Sequence, residues 1–392
     1  MQSIEFILLC MIKPGPVFTR PRTPAAKCLH LIRHNPIITR SELVAATGLS
    51  QPTITRATAA LIKAGLIRQR NEFTQSRGRG RPTVPLEAAD NDWVLAGIAV
   101  GTSVTFIGLY DVLGRTIKNG EFATPVAKLS EDDFIEHILA GVNRLMTGLE
   151  RPLVSVGITT SGTVDSQGLV TASNLGWEGV DIAARLDYQF GVPVVVSSAI
   201  PAILGSETQA AEFGSEEKVL TLFADDSIGA AYSAGDEVSQ VIPLPSTDSA
   251  VFGSGASEDL LTTAAVLREL AGHGLSASSL PEAVTLAEHS PAARNILDER
   301  VRQLGAITSR LISSHRPGAA VISGGAFLDD PAAPQLFAAA VRESVGRSVK
   351  LRMIPSHEEV VRAIARAVAL DPLLRTPLEL ATPTSKQRVS PS

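Results

Sequence analysis

Residues 39–67 read TRSELVAATGLSQPTITRATAALIKAGLI, and this stretch decides the fold of the N-terminal part of the chain. It begins with a Thr-x-x-Glu pattern from Thr39 to Glu42, in which each side chain bonds the other residue's backbone N–H at the start of a helix. Apolar residues follow at helical spacing, and Gly48 permits the left-handed turn that commonly ends a helix. The pattern predicts one short helix that stops at Gly48.

A second helix is predicted directly after this turn. Ser50 is a favourable N-cap residue, and Pro52 falls in the first turn, where a missing N–H costs little. Ile54 and Leu61 share one face of this helix, and Gly65 closes it. Two short helices joined by a glycine turn indicate a helix-turn-helix.

The polar face of the second helix carries the residues that we predict to contact DNA. Helices of this kind meet base edges in the major groove near their N-terminal ends. Arginine bonds guanine through two N–H groups, and glutamine bonds adenine in the same way. The predicted contacts from this helix are Ser50, Gln51, Pro52, Thr53, Thr55, Arg56 and Lys63. The alternative interpretation is a helical hairpin whose polar face is only solvated.

The next segment, RQRNEFTQSRGRGRPTV, is rich in arginine and glycine. Residues 66–70 are predicted to form one strand of a β-wing, with Arg77, Arg79 and Arg81 at its tip. Arginines suit the narrow, electronegative minor groove of DNA, and glycines let a backbone approach it closely. An earlier helix over residues 24–34 would complete the winged domain. The alternative for this segment is a basic flexible linker, which would also lie beside DNA.

The charge of the chain is distributed unevenly. Residues 20–85 contain 12 Lys and Arg against 2 Glu, a net charge of +10. The rest of the chain holds 23 basic and 38 acidic residues, a net charge of −15. A basic head on an acidic body indicates that only the head, predicted as a winged helix-turn-helix over residues 21–85, contacts a polyanion.

Length and composition set the remaining limits. The 392 residues, 44% of them hydrophobic, suffice for two or three domains with a sizeable core. The only cysteines, Cys10 and Cys28, argue against a disulfide framework and favour a reducing compartment. Residues 1–20 have one apolar run too short to cross a bilayer, and we interpret them as disordered or as a mis-assigned start. We therefore expect a cytoplasmic protein that does not enter the membrane.

Beyond residue 90 the pattern changes to alternating strands and helices. WVLAGIAV, SVTFIGLYDV and RTIKNGEFATP read as three successive strands, followed by a helix over residues 130–149 and by the strands LVSVGITTSG and VPVVVSS. A helix, a second strand pair in KVLTLFADD and IGAAYSAG, and a late strand in AAVISGGAF repeat the arrangement. The pattern predicts an α/β body of two lobes with a cleft between them over residues 90–372. Residues 373–392 are expected to be a disordered tail.

Four segments in this order resemble the ROK family, specifically its branch of transcriptional regulators. They are the winged head with GRGRP, GITTSGTVDSQGLVTASNLGW, SIGAAYSAG and VISGGAFLDDP, within a resemblance that covers about residues 23–370. The resemblance implies an actin-like ATPase fold for the body, similar to the sugar kinases of the family. It also implies a sugar site in the cleft and assembly into dimers or tetramers.

The chain departs from the family's kinases at the positions that carry their chemistry. The resemblance places a carboxylate base after the strand VPVVVSS, where this chain has Ala199, and alanine cannot accept a proton. It also places an acid before the first Gly-Thr turn, where this chain has Ala99. Glycines remain at Gly229, Gly324 and Gly325, but isolated glycine turns are weak evidence for nucleotide binding. We therefore expect no catalytic residues and no nucleotide cofactor.

A metal site is not expected either. The family often carries zinc on one His and several Cys after the second phosphate loop, yet this chain has no cysteine beyond Cys28. Zinc requires thiolate or imidazole ligands at close spacing, and the five histidines of the body are scattered singly, while His30 and His34 lie in the head. Glu237 is the nearest candidate for a sugar contact in this stretch, and we interpret it as a solvated loop acid.

A small polar pocket is nevertheless predicted between the lobes. Its residues supply donors and acceptors without charge, which suits a hydroxylated ligand. The candidate effector-binding residues are Ser161, Gly162, Asn174 and Ser198. In the alternative interpretation Gly162 only makes a turn and Asn174 bonds its own loop.

These features favour a sequence-specific DNA-binding transcriptional regulator, acting as a repressor, with a catalytically inactive body that dimerises and senses a sugar or sugar-derived effector. Two other classes remain open. One is a sugar kinase with a fused DNA-binding head, which Ala99 and Ala199 oppose. The other is a ligand-blind scaffold that docks another protein, which the segment SSAIP favours.

Overall fold

The computed structural model describes residues 18–73, 84–210, 218–235, 237–346 and 348–381. Its head comprises α1 (Pro24–His34), α2 (Arg40–Thr47), α3 (Gln51–Lys63), β1 (Ile67–Gln69) and β2 (Leu86–Ala88). The capping box between Thr39 and Glu42 is formed by both of its hydrogen bonds, and Gly48 takes a left-handed φ of 67°. The Ser50 hydroxyl accepts the Thr53 N–H at the start of α3. The helix-turn-helix prediction is confirmed.

A two-stranded wing follows α3. Strands β1 and β2 pair antiparallel with Ile67 opposite Ala88, so the chain returns to the head after the arginine-rich segment. The winged fold is therefore confirmed at the base of the wing. The predicted tip lies outside the described residues, because residues 74–83 include Arg77, Arg79 and Arg81.

The first lobe of the body begins after the wing. Its elements are β3 (Val94–Val100), β4 (Val104–Tyr110), β5 (Thr116–Ala123), α4 (Glu131–Met146), β6 (Leu153–Thr160), β7 (Thr163–Val164), β8 (Val170–Ala172), β9 (Trp177–Val180), α5 (Ile182–Phe190) and β10 (Val194–Ser198). The main sheet has the strand order β10-β6-β3-β4-β5. Its antiparallel meander β3-β4-β5 continues into parallel pairing of β3 with β6 and of β6 with β10.

The second lobe repeats this arrangement. It is formed by α6 (Ala199–Ala210), β11 (Val219–Ala224), β12 (Ile228–Ala234), β13 (Glu237–Val241), β14 (Thr247–Ser249), β15 (Gly253–Gly255), α7 (Ser257–Leu260), α8 (Thr263–Gly272), α9 (Leu280–Ala287), α10 (Pro291–His315), β16 (Ala319–Ser323), α11 (Gly325–Leu328), α12 (Ala333–Ser344) and β17 (Lys350–Met353). The sheet order is β13-β12-β11-β16-β17, again a meander followed by parallel strands. The two-lobed α/β prediction is confirmed.

The chain then returns to the first lobe and the head through α13 (His357–Arg375) and α14 (Pro377–Leu380). Helix α13 packs against β3, β6 and α6. Two strand glycines permit this close approach, because a Cβ at Gly97 would lie 2.0 Å from the Ala365 carbonyl oxygen and one at Gly157 would lie 2.3 Å from that of Val368. The glycines of LAGIAV and SVGITT thus set the position of the helix that joins the cleft to the head.

The head and the body share one hydrophobic core. Buried side chains of α1, α3 and β2, such as Leu29 and Leu86, cluster with Leu95 and Tyr110 of the first lobe and with Leu373 of α13. The Arg33 guanidinium donates to the carbonyl oxygens of Val112 and Leu113 at 3.1 Å each. Burial lowers the pKa of Arg33 to about 10. The head is therefore packed on the body.

Both predicted ends of the ordered chain are corrected. Phe18, placed by the sequence in a disordered start, is buried, and its amide donates to the Asp371 carboxylate at 2.6 Å. The predicted tail begins too early, since α13 and α14 continue to Leu380 and bury Leu373 and Leu380 in the shared core. Sequence reasoning failed here because both segments gain stability only from distant residues. Residues 1–17 and 382–392 lie outside the described chain.

Candidate functional site

The predicted DNA-contacting face of α3 is accessible. Gln51, Pro52, Thr55, Arg56 and Lys63 are exposed, together with the N-cap Ser50, whereas Thr53 is half-buried. The opposite face is buried in the head core through Ile54 and Leu61. Three of the hydroxyls bond within the helix and its cap, since the Thr55 Oγ1 donates to the Gln51 carbonyl at 2.9 Å and the Ser50 and Thr53 hydroxyls lie 2.9 Å apart.

The base of the wing contains ion pairs that the sequence did not predict. Glu87 of β2 pairs with both Arg68 and Arg70 of the facing strand, and Arg70 also pairs with Glu72. The pairs hold β1 against β2 and offset part of the positive charge at the base. An acidic residue on the returning strand, opposite two arginines, was the available sequence signal. Arg56 and Lys63 on α3 are not part of this cluster.

An open cleft of about 960 Å³ lies between the lobes. Ser161, Gly162 and Asn174 line it, whereas Ser198 lies beneath and donates to the Gly162 carbonyl at 2.8 Å. The Ser161 hydroxyl donates to the Asn174 side-chain oxygen, also at 2.8 Å. The four candidate effector residues are thus brought together at one end of the cleft.

The turn at Gly162 has a steric cause. Its φ is +81°, and a Cβ there would lie 2.1 Å from the Thr171 carbonyl oxygen. Gly162 therefore makes the turn that the alternative interpretation assigned to it, and Asn174 does bond to Ser161 of the same strand-loop unit. These contacts hold the polar end of the cleft in shape and leave its role in effector binding a prediction.

Ala99 and Ala199 both border the cleft where the resemblance to kinases placed acids. Ala99 is buried in an apolar cluster beside the cleft. Ala199 is the first residue of α6. After Ala99 the chain turns tightly, since the Gly101 N–H donates to the Val104 carbonyl at 3.1 Å. The chain therefore offers methyl groups at both positions.

The second-lobe end of the cleft is acidic. Asp225 and Asp226 line it, and within the described residues no Lys or Arg does so. Burial and the neighbouring Asp225 raise the pKa of the Asp226 carboxyl above its usual value. Arg300 lies behind this wall, 1% exposed, with its Nε bonded to the Leu261 carbonyl and its Nη2 to that of Asp225. A polyphosphate would meet negative charge here.

The Asp225 carboxylate also accepts a hydrogen bond from a backbone N–H that a bound phosphate would need. Its carboxylate accepts the Gly325 N–H at 3.2 Å, at the start of α11, and its other neighbour is the His357 imidazole at 3.8 Å. Gly324 at this turn has a φ of 110°, and a Cβ there would lie 2.2 Å from the Ala224 carbonyl oxygen. The glycines of VISGGAF therefore form a turn in which the Gly325 N–H is already bonded to the Asp225 carboxylate. The Asp doublet after the strand LTLFA was the overlooked signal.

The stretch expected to lack zinc forms β13, β14, β15 and α7. Across the described residues, no group of three or more His, Cys, Asp or Glu is arranged to hold a metal ion. Asp236 lies outside the described residues. Glu237, interpreted as a solvated acid, has a side chain that is 45% exposed, and its carboxylate also pairs with Arg22 of the head at 2.6 Å. In the part of the chain that the structure covers, no helix has the length and apolar character to cross a bilayer.

Three elements that line the cleft also contact the head region. Helix α6 lines the cleft through Ile200 and Ile203, packs Gly205 against the ring of Phe18, and ends where the Gln209 carbonyl meets His34 at 3.0 Å. Strand β13 lines the cleft, and its first residue, Glu237, pairs with Arg22. Helix α13 borders the cleft near its start and packs on the head near its end. A movement of these elements would therefore displace the head residues that they contact.

Comparisons with known proteins agree with both halves of the fold. A MarR family model matches residues 23–80, and a ROK family model matches residues 95–238. A transcriptional regulator of Mycobacterium tuberculosis is 30% identical over 380 residues, covering 90% of this chain and 86% of the relative. A xylose repressor of Caldicellulosiruptor bescii is 24% identical over 213 residues, 52% of this chain and 51% of the relative.

Solved structures extend the comparison to the whole chain. A ROK family transcriptional regulator, a homologue of the E. coli MLC protein, superposes with a TM-score of 0.71 at 18% identity and covers 91% of this chain and 98% of its own. The ROK hexokinase of Thermus thermophilus superposes with a TM-score of 0.58 at 20% identity, over 71% of this chain and 98% of the hexokinase. The winged head, the two-lobed body and these matches together establish that the chain belongs to the ROK family.

Proposed function

We propose that this protein is a sequence-specific DNA-binding transcriptional regulator that acts in the cytoplasm as a repressor. The observation that carries the proposal is the accessible polar face of α3, with Gln51 and Arg56 exposed on a head whose core is fully packed. The relatives named as regulators and repressors support the same function.

In this proposal α3 enters the major groove. Arg56 bonds a guanine edge, and Gln51 bonds an adenine edge near the start of the helix. Lys63 and the hydroxyls position the helix on the phosphate backbone. The wing arginines Arg77, Arg79 and Arg81 enter the adjacent minor groove. Two heads of a homodimer or tetramer occupy half-sites separated by whole turns of the duplex.

The ROK body is proposed to have no phosphotransferase activity. Phosphoryl transfer from ATP requires a base for the sugar hydroxyl and a cationic environment for the phosphates. The cleft presents Ala199 instead of a base and Asp225 and Asp226 instead of cations. We infer that the body holds the heads in place and receives a hydroxylated effector beside Ser161 and Asn174.

Selection of bound duplexes from a random pool tests the function. Sequencing of the DNA retained by the purified protein should reveal a motif with two half-sites. The Arg56→Ala variant should lose the enrichment at positions within each half-site, because Arg56 is assigned to base contact. Arg144→Ala, which removes an exposed arginine from α4 of the body, is the matched control and should select the wild-type motif. A pool without enrichment would refute the proposal.

The second candidate function is a sugar kinase with a fused head, which the shared fold with ROK hexokinases favours. An assay of ADP release with ATP, Mg²⁺ and a panel of hexoses and N-acetylhexosamines distinguishes the two. We expect no sugar-dependent release above the rate without protein. Sugar-dependent turnover that Asn174→Ala abolishes would assign the chain to the kinases.

A ligand-blind scaffold is the third candidate. In it the body only dimerises or docks another protein, and no small molecule binds, whereas this cleft has about 960 Å³ of open volume. Ligand pockets in proteins are typically about 300–1,000 Å³. The volume therefore favours a sensor.

A further inference from the structure

The interlobe cleft is lined by apolar side chains from both lobes. Phe106 of β4, Ile203 of α6, Phe223 of β11 and Ile364 of α13 contribute to its walls, together with the methyl groups of Ala99 and Ala199. A hexose site is built mainly from groups that bond hydroxyls, so a bare sugar would leave much of this wall in contact with water. The lining favours a ligand with a substantial apolar part.

Two exposed hydrophobic residues strengthen this conclusion. Val104 at the start of β4 and Ile242 after β13 are 43% and 61% exposed, and both line the cleft. They belong to different lobes, so an apolar group that fills the cleft from one lobe to the other would contact both. Single exposed hydrophobic residues need no explanation, but here two of them border the same concave site. An apolar ligand portion would remove them from water.

The charge of the lining restricts the rest of the ligand. The described lining of the cleft contains no Lys or Arg but six acidic residues: Glu121, Asp225, Asp226, Glu258, Asp259 and Glu358. Of these six, Glu358 pairs with Arg362, which does not line the cleft. Buried Arg300 is turned to backbone carbonyl oxygens. Anionic groups such as phosphates and carboxylates are therefore disfavoured by charge repulsion.

The polar end of the cleft is neutral. Asn174 uses its side-chain oxygen to accept from Ser161, and among the described residues its amide nitrogen has no hydrogen-bond partner. Gln240 reaches the Gly162 carbonyl at 3.4 Å, which is long for a hydrogen bond. Amide groups both donate and accept, so they suit uncharged hydroxyl groups.

We propose that the cleft binds a non-anionic amphipathic ligand, with a hydroxylated head beside Ser161 and Asn174 and an alkyl chain against the apolar lining residues, which include Val104, Ala199 and Ile242. The inference rests on the effector-site role given to the cleft in the proposed function. It specifies the chemistry of that ligand as a sugar or polyol joined to an apolar chain.

Calorimetric titration of the full chain with three probes tests the inference. Octyl β-glucoside, used below its micelle-forming concentration, carries both parts, whereas glucose lacks the chain and octanoate carries an anionic head. We expect octyl glucoside to bind at least tenfold more tightly than either. Affinity should rise about two- to fourfold per methylene from hexyl to decyl glucoside, because a fully buried CH₂ contributes about 0.8 kcal/mol.

Variants locate the binding site. Val104→Ser and Ile242→Ser alter partly exposed side chains and should each weaken octyl glucoside binding several-fold without loss of the fold. Ala199→Asp places a carboxylate on the apolar wall and should weaken it at least tenfold. Tyr188→Ser, at a position 78% exposed that does not line the cleft, is the matched control and should bind as the wild type does.

Equal affinity for glucose and octyl glucoside, tighter binding of octanoate, no binding of any probe, or equal weakening by Tyr188→Ser would each overturn the inference. The titration contains no DNA. Failure of the DNA selection therefore leaves this result interpretable, and failure of the titration leaves the DNA selection intact.

Discussion

The junction between head and body and the cleft between the lobes are built in opposite ways. At the junction, apolar side chains from α1, α3 and β2 interlock with those of the first lobe and α13, and the Arg33 guanidinium donates to the carbonyl oxygens of Val112 and Leu113. In the cleft, about 960 Å³ stays open between apolar walls. Helix α13 takes part in both regions, and α6 lines the cleft and contacts Phe18 and His34.

This difference indicates that the junction keeps one arrangement, whereas the cleft can change its width. A packed core resists deformation and transmits displacement, because its side chains have few alternative arrangements. An open cleft allows the lobes to approach each other around a ligand. A ligand changes DNA binding only if it has different affinities for the two arrangements of the heads. On this hypothesis the cleft selects the lobe arrangement and the junction carries it to α3.

The largest expected effect concerns Phe18, whose ring packs against Gly205 of α6. Phe18→Ala should lower the free energy of unfolding by about 3–5 kcal/mol, as for other buried Phe-to-Ala changes. Gly205→Ala should cost about 1–3 kcal/mol through overpacking, because its Cβ would lie 2.4 Å from the Phe18 ring. Urea unfolding of the variants measures both values.

The double variant Phe18→Ala/Gly205→Ala sharpens this prediction. With the ring removed, the cost of alanine at position 205 should fall, because only the Cβ of residue 18, at 2.9 Å, remains in its way and alanine favours a helix over glycine by about 1 kcal/mol. The Gly205→Ala effect should therefore be clearly smaller in the Phe18→Ala background than in the wild type. An equal cost in both backgrounds would mean that Phe18 does not pack there.

A smaller effect is expected on the DNA-contacting side. Arg56→Ala should weaken binding to the selected duplex by about 1–3 kcal/mol and relax its specificity, because a bidentate contact to one base is lost. Its free energy of unfolding should stay within about 0.5 kcal/mol of the wild type, since the side chain is exposed. Fluorescence anisotropy on cognate and random duplexes measures the loss. Equal loss on both would show that Arg56 reads no base.

The junction also predicts a dependence on pH. Burial raises the pKa of Asp371 above its usual 3.8, although Arg375 and the Phe18 amide favour the charged form. The folded protein therefore retains this proton where the unfolded chain has lost it, and the stability contributed by this group falls as pH rises from about 3.8 through the raised pKa.

Asp371→Asn keeps an oxygen to accept the Phe18 N–H but cannot ionise. Its unfolding free energy, measured in urea from acidic to neutral pH, should lack the decline attributed to Asp371. The difference between wild type and variant should therefore change with pH in the direction that favours the variant at higher pH. Parallel profiles would indicate that Asp371 has an ordinary pKa in the folded state.

The smallest effect belongs to the ion pair between Arg22 and Glu237. Its side chains are about half-exposed, so solvent and salt screen their attraction. A double-mutant cycle with Arg22→Ala and Glu237→Ala should give a coupling of about 0.2–1 kcal/mol that shrinks in high salt. A coupling that persists in 1 M salt, where the screening length is about 3 Å, would show that the pair is more buried than it is here.

Sequence patterns predicted the local parts of this structure well. The capping box at Thr39, the glycine turn at Gly48 and the strand pattern of each lobe follow from interactions over a few residues. The alanine at position 199, where the resemblance to kinases places a base, could also be read from the sequence, because it is one residue directly after one strand. These features need no knowledge of distant partners.

The missed features all depend on residues far apart in the sequence. Phe18 and Asp371 meet across 353 positions, and the Asp225 carboxylate reaches the Gly325 N–H across 100. Composition alone made residues 1–20 and 373–392 look disordered, because nothing near Phe18 or Leu373 in the sequence indicates the buried environment of these two side chains. Burial of Leu380 follows only once α14 is placed against the head.

The shared core implies that the head and the body form one cooperative unit. Hydrogen exchange of the full chain in increasing urea tests it, with peptides of α1 reporting on the head and peptides of β3 on the body. The shared core predicts that the most protected amides of both regions open at the same urea concentration and with the same free energy. Opening of α1 at clearly lower urea, with β3 still protected, would contradict the claim.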